Sequence, residues 1–155
     1  MGGAMNEWPD VLDERILAGL RAGFDETDPP PPVLDQLVVL ALGASQLDAE
    51  VARLVEDATV APGARASSRV RTLRFEAEAL TVLLSVAEGP SGARRVDGWL
   101  LPGRAAEVEL QLPEGALVVG ADASGRFVLE EVPAGAVRLV VRTPDGVVVT
   151  SAFEL

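Results

Sequence analysis

The sequence predicts an α+β protein, an N-terminal helical pair followed by an antiparallel β-sandwich. Three observations lead there. Apolar residues in the first 60 positions recur at helical spacing. From position 70 onward, short β-prone runs alternate with turns that carry Gly and Pro. Between the two, Ala61 to Ser68 is built of small residues around Pro62 and Gly63 and has no periodicity. The chain is therefore divided into an acidic helical region over 1–60, a linker over 61–69 and a sandwich domain over 70–155.

Pro9 and Asp10 open the first helix, because Pro suits the first turn and a carboxylate there complements the helix dipole. Leu12, Ile16, Leu20 and Phe24 recur four apart, with Leu17 alongside, and make one apolar stripe. Gly23 and the acidic run Asp25-Glu26-Thr27-Asp28 end it, and Pro29 to Pro32 form a stiff spacer. A second helix is expected from Pro32 or Val33 to Ala58. Val33, Leu37, Leu40, Ala44, Leu47, Val51, Leu54 and Ala58 alternate spacings of four and three, the pattern of a heptad seam. Gly43, Ala44 and Ser45 weaken its middle, where a bend or a break into two segments is expected.

Strands are expected near 70–76, 80–88, 95–101, 106–112, 117–121, 126–131, 137–142 and 147–153. Their turns fall at sites such as Gly89-Pro90, Pro102-Gly103, Ser124-Gly125, Pro133-Ala134-Gly135 and Asp145-Gly146. Glu107-Val108-Glu109-Leu110-Gln111-Leu112 alternates polar with apolar, so one face is buried and the other wet.

Charge divides unevenly. Residues 1–60 hold 3 Arg and 12 carboxylates, 3 − 12 = −9, and residues 61–155 hold 10 Arg and 12 carboxylates, 10 − 12 = −2, which sums to the net −11. There is no Cys, His, Tyr or Lys, and all 13 basic residues are Arg. Disulfides, thiolate metal sites, His-based triads, Schiff-base lysines and the P-loop lysine are thereby excluded. No cofactor is expected. The Ala-, Val-, Leu- and Arg-rich alphabet suggests a high-GC genome.

Candidate sites resolve into structural roles. Asp25, Glu26 and Asp28 lack the spacing of a calcium loop. The pairs Glu76/Glu78 and Glu107/Glu109 have strand spacing and read as wet faces rather than as a glycosidase pair. Arg65, Arg69, Arg71, Arg74, Arg94 and Arg95 are the one basic concentration. Pairing with the acidic helices is expected there rather than nucleic acid. Trp99 is expected in the core, and Trp8 as a staple before the first helix.

One stretch carries a resemblance. Val118-Val119-Gly120-Ala121-Asp122-Ala123-Ser124-Gly125-Arg126-Phe127-Val128-Leu129, then Val132-Pro133-Ala134-Gly135 and Val137 to Val141, resemble carboxypeptidase regulatory-like and Cna-B-like modules. The resemblance spans Gly98 to Leu155 and implies a transthyretin-like sandwich, with an Asp-x-x-Gly-x-Phe turn between two strands. Gly125 and Gly135 permit positive φ there, and Asp122 can bond to the backbone that follows it. Isopeptide crosslinking, known from Cna-B modules, requires a Lys that is missing here.

The whole chain also resembles small actinobacterial proteins that accompany alternative sigma factors, through Leu47-Asp48-Ala49-Glu50-Val51-Ala52-Arg53-Leu54-Val55. This implies a zinc-independent, anti-sigma-like regulator, in which an acidic helical hairpin covers a basic surface of its partner. Leu37, Leu40, Leu47, Val51 and Leu54, with Asp48 and Glu50, are the expected partner-binding residues. A non-enzymatic protein is expected because the usual acid–base residues are missing. A cytoplasmic one is expected, since Met1 to Trp8 lacks a basic segment with a long apolar run and no run approaches the roughly 20 residues of a membrane span. Two rivals stand beside it. One is an assembly component that dimerises through the seam. The other is a ligand-binding sandwich with its pocket near Gly98–Arg104 or Asp122–Arg126.

Overall fold

A computed structural model describes residues 11–44, 47–60 and 69–155. Trp8, Ser45, Arg65 and the linker over 61–68 lie outside the described residues. Two helices, α1 (Val11–Thr27) and α2 (Leu34–Ala44), precede ten strands. These are β1 (Glu50–Val60), β2 (Val70–Glu76), β3 (Thr81–Glu88), β4 (Arg94–Leu101), β5 (Ala106–Leu112), β6 (Gly115–Ala121), β7 (Arg126–Val132), β8 (Ala136–Thr143), β9 (Gly146–Thr150) and β10 (Phe153–Glu154). The chain divides into two compact units between Leu34 and Asp35.

The first unit presents α1. The Phe24 carbonyl accepts the Asp28 N–H at 2.8 Å, and Thr27 Oγ1 donates to the Gly23 carbonyl at 2.8 Å, which closes the helix at its expected end. None of its residues is buried.

The second unit is a large, mostly antiparallel sheet, nearly closed into a barrel, in the order β6-β5-β8-β9-β1-β2-β3-β4-β7, with β10 also on β8. Every strand expected from residue 70 onward forms, within a few residues of its expected bounds. Side chains alternate as period 2 demands: Leu73 and Phe75, then Val82, Leu84 and Val86, then Val96 and Leu100, point into one core with Val108, Leu110, Leu139 and Val141.

The segment 50–60 corrects the sequence reading. Expected to complete a long helix and the acidic helical region, it is strand β1 and belongs to the sheet. Its first residues pair in parallel with β9 (Val51 with Val149) and the remainder antiparallel with β2, with a register shift between Leu54 and Glu56. The apolar set at 51, 52, 54, 55 and 58 fits either period, and β-branched Val51, Val55, Thr59 and Val60 favour the extended form. Long-range pairing with β9 and β2 decides, and it places Ala52 fully in the core. Weak helix formers around Gly43 permit the break.

Trp99 is a second correction. Core positions on β4 are Val96, Gly98 and Leu100, so Trp99 lies on the opposite face and is only half-buried. Glu76 ends β2 and Glu78 lies beyond it, so those two do not share a strand face, whereas Glu107 and Glu109 do.

At the β6–β7 connection, Gly125 sits at φ +83° and Gly135, further on, at +137°. Asp122 Oδ1 accepts the Ser124 N–H at 2.8 Å, the Ser124 hydroxyl at 2.6 Å and the Arg126 N–H at 3.0 Å. Those donors hold the Asp122 carboxyl below its ordinary pKa, the Ser124 hydroxyl most strongly.

Candidate functional site

The second helix starts where the proline spacer ends, with the Leu34 N–H bonded to the Pro31 carbonyl at 2.9 Å. Its sequence, LDQLVVLALGA, has one charge, Asp35, and is apolar on nearly every side. The inner face packs on the sheet. Leu40 is only 5% exposed, and Gln36 Oε1 accepts the Ala136 N–H at 3.4 Å.

Arg138 on β8 fixes the helix from below. It is 3% exposed, and its guanidinium donates to the Leu40 carbonyl and to Gln111 Oε1, the latter from Nε at 3.0 Å and also from a terminal nitrogen. Gln111 Nε2 passes the contact on to Glu109 Oε1 at 2.7 Å, and Arg142 closes the chain at 2.9 Å from Glu109 Oε2. Burial draws the Arg138 guanidinium below its ordinary pKa, while the nearby Glu109 charge opposes that. A buried cation is tolerable here because a helix carbonyl and an amide oxygen accept hydrogen bonds from its N–H groups.

The outer face of α2 is a different surface. Val38 is 47% exposed and Val39 58%, with Leu34 and Leu42 also exposed. Sequence reasoning missed these positions because it followed a seam through Leu37 and Leu40, and a helix apolar all round does not reveal which face is inward. The missing signal was the scarcity of polar residues at 38, 39 and 42.

The seven expected partner-binding residues do not share one helix face. Leu37, half-buried, and Leu40, core, are on α2; Leu47 and Asp48 are in the following segment; Glu50, Val51 and Leu54 are on β1. Leu40 is corrected to a core residue. The Glu50 carboxylate takes the Ala79 N–H at 3.2 Å and also the Glu78 N–H, so it caps the turn before β3. Val51 remains exposed beside Val149.

Among the described residues, Arg71, Arg74, Arg94 and Arg95 of the basic concentration pair with carboxylates of the sheet. Arg71 grips Asp57 of β1 through two bonds, 2.7 and 2.6 Å, and its third nitrogen reaches the Glu154 carbonyl at 2.6 Å. That bidentate contact lowers the Asp57 pKa and raises that of Arg71. Arg74 pairs with Glu76, Arg94 with Glu88 at 3.2 Å, and Arg95 with Asp97 and Glu130.

Two clefts, of about 400 and 370 Å³, lie respectively beside Gln36 and Pro133–Val137 and around Gly89–Ser91 with Arg94 and Arg95. Neither touches the Gly98–Arg104 or Asp122–Arg126 loops expected of a ligand-binding sandwich. Among the described residues, no helix is long and apolar enough to cross a membrane. No known protein family, curated protein or solved structure matches the chain.

Proposed function

We propose that this chain is a non-enzymatic regulatory protein–protein interaction module in which the outward face of α2 docks a partner and the sheet is the scaffold. One observation carries the reading: Val38 and Val39 are exposed on a helix whose opposite face is anchored by Leu40 and Arg138. An all-apolar helix is normally covered on both sides, and the sheet supplies only one. The acidic α1, with Ile16, Leu20 and Phe24 on one stripe, adds a second recognition element of the helix-in-groove kind.

The partner's chemistry follows from charge. Residues 11–44 carry six carboxylates and two Arg, 2 − 6 = −4, so the complementary surface is basic. A cytoplasmic sigma factor is the specific case we propose, even though Glu50 to Val55 of the stretch that carries that resemblance is strand. A transthyretin-like sandwich is the fold family we propose for Gly98 to Leu155, supported by the Asp122–Gly125 turn.

The test is an affinity capture from the native host with the wild type and a Val38→Gln/Val39→Gln variant, each confirmed folded by circular dichroism. A basic protein held by the wild type and lost by the folded variant is the expected result. Capture unchanged by the variant removes α2 as the interface. A wild type that only self-associates through α2 moves the reading to the assembly component.

A further inference from the structure

The sheet ends on two edges that differ in their protection. At β7, Glu130 and Glu131 bring charge, Glu131 adopts φ 55°, and the pairing with β4 is shifted between Arg94 and Val96. Charges and bulges of this kind keep an edge from recruiting another strand. The β6 edge has none of them. Its sequence is GALVVGA, it holds a regular register with β5 along all seven residues, and among the described residues it pairs with no other strand. Away from the turn into β7, which the Asp122 N–H closes on the Arg126 carbonyl at 2.9 Å, alternate N–H and C=O groups of β6 therefore face outward along an uncharged edge. Val118 is 59% exposed, and Leu117 and Val119 are only partly covered by the core.

We propose that the β6 edge is a second docking site, which takes an extended basic strand of a partner protein by strand addition. Main-chain bonds supply the pairing, and alternate apolar side chains of the incoming strand cover Leu117 and Val119. Charge selects the occupant. Glu107 lies across from Gly120 on the outer face, its carboxylate 3.5 Å from Arg142 but 56% exposed and so open to a second cation, and a Cβ at Gly120 would meet nothing within 4 Å. A basic side chain laid over Gly120 can reach Glu107, and Glu114 offers a second carboxylate at the other end of the strand. A second copy of this chain fits poorly: self-pairing centred on Val118 sets Glu114 against Asp122 at both ends, on chains of net charge −11.

The experiment measures amide hydrogen exchange by NMR on the full chain, with a nine-residue synthetic peptide alternating Arg and Val as probe. A peptide alternating Glu and Val is the control. Slowed exchange confined to Gly115–Ala121, no effect of the control, and at least tenfold weaker binding by Val118→Arg are expected. Ala116→Arg, at the next outward-facing position, serves in its place should Val118→Arg fail to fold. Absence of binding, protection centred elsewhere, or equal binding by the variant overturns the proposal. Protection of β6 that rises with protein concentration alone overturns it in favour of self-pairing. The Val38→Gln/Val39→Gln variant binds the probe normally, so failure here and failure at α2 are distinguishable.

Discussion

Gly98 of β4 lies directly across the strand pair from Phe127 of β7, and the Phe127 ring occupies the space a side chain at Gly98 would need. A Cβ there would fall 2.5 Å from Cε1 and closer still to Cζ. Phe127 is itself in the core, so it has no free direction in which to retreat. Gly98→Ala should therefore cost about 1–3 kcal/mol, the range for overpacking a filled core. Urea unfolding checks it, and Phe127→Leu in the same chain should recover part of the loss. A Gly98→Ala variant as stable as the wild type would show that the ring is not held there.

Arg138 holds α2 through the Leu40 carbonyl and meets Gln111 on β5. Replacing it with Leu leaves both acceptors without their donor, at about 1–3 kcal/mol for buried groups left unsatisfied. The loss should be local first. Amide exchange in α2 is expected to quicken in Arg138→Leu before exchange in β3 or β4 changes.

Asp57 and Arg71 tie β1 to β2, with both side chains about a third exposed. Asp57→Asn should cost no more than about 1 kcal/mol at pH 7, since solvent screens such a pair. The sign with pH follows from the lowered Asp57 pKa. The contribution is full above the unfolded carboxylate value of about 3.9 and is lost as pH falls through the folded value. Unfolding curves of wild type and Asp57→Asn should thus converge on acidification; a gap that widens would reverse the assignment.

How much of this was legible depends on which signals were local. From Pro102 onward, turn residues recur about every ten positions, and from Val70 onward local turn chemistry is enough to place the strands; the Asp122 carboxylate bonds to the backbone that follows it, as the sequence implies. Val51 to Ala58 was not legible, because its apolar spacing suits a helix and only pairing with β9 and β2 selects a strand. Trp99 was misplaced by its size, when its register beside Gly98 and Leu100 was the better guide. At the candidate site, Leu40 and Val39 are adjacent apolar residues with opposite fates. Arg138, nearly a hundred residues away, decides between them.

The central claim is that the two faces of α2 do different things, the inner one stabilising and the outer one binding. Urea unfolding and host-protein capture, run side by side on Leu40→Ala and Val38→Gln/Val39→Gln, test it most directly. Leu40→Ala is expected to lose about 2–5 kcal/mol, as a core truncation does. Val38→Gln/Val39→Gln is expected to stay within about 0.5 kcal/mol of wild type, as exposed substitutions do, while losing the captured protein. A double variant that unfolds, or that folds and keeps every partner, would contradict the claim.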